Sequence, residues 1–111
     1  MIISITKEDV DNSVTNSKNA KTGNKRLCNC LLSTAFKRSL GVKITNTGYT
    51  EHTGKGFRII CDVQSGKIAE EFDSLFYRRM DRPVEDYYHF IGRTVKFTYR
   101  NTLIKIPENI F

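Results

Sequence analysis

A chain of 111 residues, 39% hydrophobic and 11% aromatic, suits one folded domain with one core rather than a disordered chain. Eighteen Lys and Arg against twelve Asp and Glu give a net charge of +6, which favours anionic partners and argues against DNA mimicry by an acidic surface. No apolar run approaches the roughly 20 residues of a membrane helix, MIISITKEDV lacks the basic and apolar regions of a signal peptide, and three cysteines are an odd count for a disulfide framework, so a cytoplasmic protein with free thiols is expected.

In chain order, Ile2, Ile3 and Ile5 predict a short strand. Thr6 followed by Asp9 approximates a capping box for a short helix over residues 7–14. Residues 15–25, TNSKNAKTGNK, lack periodicity and are rich in turn formers, which predicts an exposed loop. In RLCNCLLSTAFKRSLG, Cys28, Leu31, Leu32, Ala35, Phe36 and Ser39 recur at helical spacing. Asn24 can cap the start, Lys37 and Arg38 fall in the last turn, and Gly41 lies just beyond it. That register turns Cys28 inward and puts Cys30 about 200° round the axis, at the surface.

Val42, Lys43, Ile44 and Thr45 alternate as a half-buried strand does, and residues 46–56 read as a long turn. Phe57, Ile59, Cys61 and Val63 alternate with Arg58, Ile60 and Asp62 as the second strand of the hairpin. A helix follows from Gln64-Ser65-Gly66 to Asp81-Arg82-Pro83, with Ile68, Phe72, Leu75, Phe76 and Arg79 inward and Glu70, Glu71 and Asp73 outward. Tyr87, Tyr88, Phe90 and Ile91 form a dense aromatic patch. Val95, Phe97 and Tyr99 then alternate with Thr94, Lys96, Thr98 and Arg100, a strong strand signal, and Leu103 to Ile106 reads as a last short strand. The order predicts a single α+β domain over residues 1–111. Its expected core is an antiparallel, ferredoxin-like sheet of four to five strands with two main helices on one face.

Few motifs point to catalysis. Cys28 and Cys30 on one helix cannot reach one metal, and His52 and His89 lie far apart, so neither a metal nor a cofactor is expected. A Cys30–His89 nucleophile pair has nothing local to activate the thiol. GYTEHTGKG has five residues between Gly48 and Gly54 where a P-loop has four, and it joins strands. Glu70 and Glu71 diverge by about 100° on a helix, so they form no acid–base dyad. The reading is non-enzymatic, with no catalytic residues.

The basic residues carry the functional expectation. Residues 1–60 hold ten Lys/Arg against four Asp/Glu, residues 61–86 four against seven, and residues 87–111 four against one, so an acidic segment lies between two basic ones. Arg78, Arg79 and Arg82 cluster at the end of the second long helix, and Lys96 and Arg100 share one face of a strand. Tyr87 and Tyr88, with Tyr49, His52 and His89, offer rings that can stack on a base. Arginine with aromatics is the chemistry of single-stranded nucleic acid and nucleotide recognition. The expected ligand-binding set is therefore Arg78, Arg79, Arg82, Lys96, Arg100, Tyr87 and Tyr88. GRTVKFTY lacks the aromatic pattern of the RNA-recognition module.

Ile5-Thr6-Lys7-Glu8-Asp9-Val10, the helix from Cys28 to Ala35 and Phe72-Asp73 resemble short uncharacterised proteins of phages and prophages. The resemblance implies a small accessory protein of a mobile element acting in the host cytoplasm. In that context the leading expectation is a counter-defence protein binding an anionic host target, either a nucleotide signal or a nucleic-acid complex. Small basic proteins often complete such a pocket by self-association, so a homodimer is expected. The alternatives are a nucleic-acid-binding regulator and a protein-only inhibitor of a host defence factor.

Overall fold

The computed structural model describes residues 1–20 and 30–102. Asn24, Cys28 and the strand expected over Leu103 to Ile106 lie outside the described residues. The elements are β1 (Ile2–Ser4), α1 (Lys7–Asn19), α2 (Leu31–Leu40), β2 (Asn46–Thr47), β3 (Glu51–Gly54), β4 (Phe57–Cys61), α3 (Val63–Arg78), a 3₁₀ segment (Val84–Phe90) and β5 (Thr94–Asn101).

The helix ends follow from local chemistry. The Thr6 hydroxyl accepts the Asp9 N–H at 3.1 Å and Asp9 Oδ2 accepts the Thr6 N–H at 3.0 Å, the reciprocal capping box expected. Asp62 caps α3 by accepting the Ser65 N–H at 2.8 Å. Gly41 closes α2 at φ +66°, its N–H on the Lys37 carbonyl at 3.0 Å, a conformation glycine adopts without the Cβ penalty.

Several expectations need correction. β4 ends at Cys61, and Val63 opens α3 behind its cap Asp62 instead of ending the strand. Arg79, expected on the inward stripe, is exposed beyond the end of α3. α1 runs to Asn19, five residues into the stretch read as loop, because Val14 and Ser17 are buried and continue its inner stripe. Residues 42–45 are not a strand, and the long turn expected over 46–56 holds β2 and β3. The true hairpin is β3–β4 with a two-residue turn at Lys55-Gly56, from Glu51↔Ile60 to Gly54↔Phe57. Cys30 is not on the helix surface: it precedes α2 as its N-cap residue and is only 2% exposed, so the helical angle assigned to it does not apply.

The five strands form an antiparallel sheet in the order β1-β5-β4-β3-β2. This is the α+β class expected, with β1 at an edge beside the last strand instead of inside as in a ferredoxin-like sheet. Period-two alternation buries Phe57, Ile59 and Cys61 of β4 and Val95 and Phe97 of β5. Against that face pack Leu31, Leu32, Ala35 and Phe36 of α2 and Ile68, Ala69, Phe72 and Phe76 of α3. Phe36 meets Phe97 edge-on at 4.9 Å, and Phe72 contacts both Tyr87 and Phe90 of the 3₁₀ segment. The start of α3 is pinned to β5, since Ser65 Oγ accepts the Lys96 N–H at 2.8 Å. No helix among the described residues is long and apolar enough to cross a membrane.

The helices lie on one side of the sheet, and among the described residues no element packs on its other, bare face. Ile2 and Ser4 of β1, Thr94, Lys96, Thr98 and Arg100 of β5, and Arg58 and Ile60 of β4 are all exposed there.

Candidate functional site

The seven residues expected to bind ligand fall on separate surfaces. Lys96 and Arg100 project from the bare face of β5. Arg78, Arg79 and Arg82 lie at the far end of α3, on the helical side. Ser65 holds the Lys96 backbone, and Arg79 stands fourteen residues further along the helix, about 20 Å away at the 1.5 Å rise per residue. One compact anion cannot span both groups.

The arginines at the end of α3 are largely compensated. Arg78 lines an open groove of about 570 Å³ together with Glu70, Glu71 and Lys67. Arg79 Nε pairs with Asp81 at 3.1 Å and Arg82 Nη1 with Asp86 at 3.4 Å. The aromatic members are constrained too. Tyr87 is fully buried and cannot stack on a ligand, a correction to the expectation from sequence. Its phenol is pushed up by burial, against the pull of the Arg82 charge. Tyr88 is half-buried, donates its hydroxyl to Asp11 at 2.8 Å and carries the Lys7 ammonium 5.1 Å from its ring centroid. His52, another of the rings expected to stack, is also fully buried.

Two surfaces have the geometry for recognition. On the bare sheet face Arg58 and Arg100 are direct cross-strand partners. Arg58 Nε reaches Glu51 at 2.9 Å, whereas neither Lys96 nor Arg100 has an ion-pair partner among the described residues.

The second is a pocket of about 260 Å³ on the helical side, lined by Cys30, Thr47, Gly48, Tyr49 and Asp73. A polar chain lies behind it. Ser33 Oγ is 2.7 Å from Thr47 Oγ1, 3.1 Å from His52 Nδ1 and receives the Cys30 thiol at 3.5 Å. Thr47 and His52 face each other in the β2–β3 register. Burial pushes the His52 pKa down to about 4, so the imidazole is neutral, with the Tyr49 backbone pulling the other way. Burial pushes Asp73 up to about 6, with the Tyr49 hydroxyl pulling the other way. Helical spacing puts Asp73 outside the inner stripe, yet it is 8% exposed because the turn carrying Tyr49 covers it. Gly66 makes that covering possible, since a Cβ there would stand 2.7 Å from Thr50 Cγ2 and 3.1 Å from the Tyr49 carbonyl. Sequence spacing carries no signal for this pocket, whose residues come from three separate segments.

The two described cysteines are not poised as nucleophiles. Burial raises the Cys30 thiol, and it pushes Cys61 up to about 12, so neither is a thiolate at neutral pH. Among the described residues no three His, Cys, Asp or Glu side chains converge to hold a metal ion. No family model, curated protein or solved structure matches the chain.

Proposed function

We propose that the protein is a non-enzymatic binder of a polyanionic partner, a nucleic acid or a nucleic-acid complex, and that the bare face of its sheet is the contact surface. The observation that carries this reading is the cross-strand pair Arg58↔Arg100, with Lys96 on the same face four residues along β5. Like charges directly opposite on a sheet disfavour the fold, and the Glu51 carboxylate relieves this only at Arg58, leaving Arg100 without an ion-pair partner among the described residues. A phosphate bridging the two guanidinium groups reverses that penalty through charge-assisted, bidentate hydrogen bonds. Lys96 lies about 13 Å from Arg100 at 3.3 Å per residue, so the set follows an extended backbone better than it encloses a single nucleotide. The likeness to phage and prophage proteins supports a counter-defence context, with the target in the host. The end of α3 enters this reading only as a separate, mostly neutralised surface.

A protein partner is the second reading. It rests on Ile2 and Ile60, 63% and 40% exposed on the same face.

The test is fluorescence anisotropy with an oligo-dT strand over a salt series, for the parent and for Lys96→Ala/Arg100→Ala. The parent is expected to bind with an affinity that falls steeply with salt. The double variant should bind weakly and lose roughly 1.4 from the salt slope, at about 0.7 per phosphate contact on a single strand. Binding by the double variant equal to the parent's overturns the assignment of the surface. Absence of any salt-dependent binding overturns the function and leaves the protein-partner reading, which Ile60→Asp then tests by co-purification from host cells. A homodimer belongs to the same proposal, and light scattering of the parent decides it.

A further inference from the structure

We propose that the pocket between α3 and the β2–β3 turn binds a small organic ammonium ion, with the Asp73 carboxylate as its counter-charge and the Tyr49 ring as its aromatic wall. This goes beyond the polyanion reading and does not depend on it, because the pocket lies on the helical side and the polyanion surface on the bare one.

Two buried aspartates frame the argument. Asp9 is 1% exposed, and Arg38 meets both of its oxygens, at 2.7 and 3.0 Å. Asp73 is 8% exposed, lines a pocket, and has no cationic partner among the described residues. The Tyr49 hydroxyl is its described hydrogen-bonding neighbour. A carboxylate offers about four lone-pair directions, so a single phenol leaves room for a further donor from the pocket. A desolvated charge in that state is costly until a cation reaches it. Its raised pKa of about 6 reflects that cost, and the group is still largely ionised at neutral pH.

The rest of the lining fits an ammonium head. Thr47 brings a hydroxyl that can accept a donor, and the Tyr49 ring brings a π-face for a cation. Exposed Gly48 and Tyr49 form the rim, so the pocket meets solvent. The one histidine behind it is neutral and does not compete as a cation. At about 260 Å³ the pocket falls just below the usual range for drug-sized ligands, which fits a single ring or a short chain and not a nucleotide. The turn and the helix meet closely: Gly66 lets the turn dock on α3, and Asp73, seven residues on, lies on the same helix face.

The test is an amide NMR titration of the full chain near neutral pH with three probes of one shape, benzylamine, benzyl alcohol and benzoate. Benzylamine is expected to shift the Thr47, Gly48, Tyr49 and Asp73 signals saturably. Benzyl alcohol should bind about tenfold more weakly or worse, as expected when a charge-assisted contact is lost, and benzoate should not bind there. In Asp73→Asn the preference for the amine should vanish. The proposal is overturned if benzylamine produces no saturable shift at these residues, if the alcohol or benzoate binds as well, or if the preference survives in Asp73→Asn. Should that variant not fold, the three-probe comparison on the parent decides alone.

Discussion

Arg38 near the end of α2 and Asp9 in the first turn of α1 form a forked ion pair, Nε to Oδ1 at 2.7 Å and Nη2 to Oδ2 at 3.0 Å. The same Asp9 carboxylate accepts the Thr6 N–H of the capping box, and the same Arg38 Nη2 donates to the Ser4 carbonyl of edge strand β1 at 3.1 Å. One pair therefore fastens two helices and covers an open backbone group on the sheet edge. Arg38→Ala leaves a buried carboxylate without its cation. Removing one partner of a fully buried pair costs about 3–5 kcal/mol, and the Arg38 side chain is a third exposed, so about 2–3 kcal/mol is expected. Asp9→Asn keeps an oxygen for the cap and should cost less. Urea unfolding of both variants checks the order, and an Arg38→Ala loss below about 0.5 kcal/mol would show the pair to be ornamental.

Cys30 and Cys61 are both buried thiols, so both should behave as small core groups. Cys30→Ser places a hydroxyl in a nearly dry site and should destabilise by about 1–3 kcal/mol. With both thiols held above their ordinary range by burial, iodoacetamide should label them only as the protein unfolds. Peptide mass spectrometry against labelling time, with and without urea, reads this directly. Fast labelling of Cys30 in the native state would contradict its placement.

How far the residues announce this arrangement varies with the kind of signal. Thr6–Asp9 and Gly41 are local, so the start of α1 and the end of α2 are legible, whereas the Asp62 cap of α3 is not, because the alternation Phe57-Ile59-Cys61 runs on through Asp62 and Val63. The alternations Phe57-Ile59-Cys61 and Val95-Phe97-Tyr99 are legible too, because one buried face imposes a period of two. α1 beyond Val14 is not, since Thr, Asn, Ser and Lys hold helix there only through packing at Ser17. β3 is hidden because its inward residue is His52, a polar side chain in a core position. The basic set is legible as charge but not as a surface: spacing cannot tell that Lys96 and Arg79 lie on opposite layers. Asp73 reads as solvent-facing because carboxylates usually are, and only the distant Tyr49 turn makes it otherwise.

His52 and Asp73 give opposite pH dependences that should nearly cancel. The folded His52 has its pKa lowered from 6.5 to about 4, so the unfolded chain binds the extra proton and stability falls as pH drops through that window. The folded Asp73 has its pKa raised from 3.8 to about 6, so the folded chain keeps the extra proton and stability falls as pH rises through that window. A tenfold change in proton affinity is worth about 1.4 kcal/mol, which puts each contribution on the order of 3 kcal/mol. Between about pH 4 and 6 the two contributions offset, and their sum in the parent should be nearly flat. Asp73→Asn removes one of them, so its stability should rise with pH from about 4 to 6.5. His52→Gln removes the other, so its stability should fall from about pH 4 to 6. Chemical denaturation across this range checks both slopes, and equal slopes in the two variants would refute the assignment.

The separation of the two basic groups yields the last expectation. Lys96 and Arg100 stand on the bare sheet face without ion-pair partners among the described residues, while Arg79 and Arg82 are held by Asp81 and Asp86 at the end of α3. If a polyanion tracks the sheet face, Arg79→Ala/Arg82→Ala alters only the long-range field, which salt screens within about 8–10 Å. Its effect on oligo-dT affinity should be small at physiological salt. Lys96→Ala/Arg100→Ala removes direct contacts, each worth about 1.5–3 kcal/mol when made to a charged group. The quadruple variant should then lose the sum of the two effects, because sites this far apart without shared partners add within about 0.5 kcal/mol. Anisotropy on the four proteins at one salt concentration measures this. Strong non-additivity would mean that the nucleic acid wraps from one layer to the other, and a larger loss from the α3 pair would move the binding surface to the helical side.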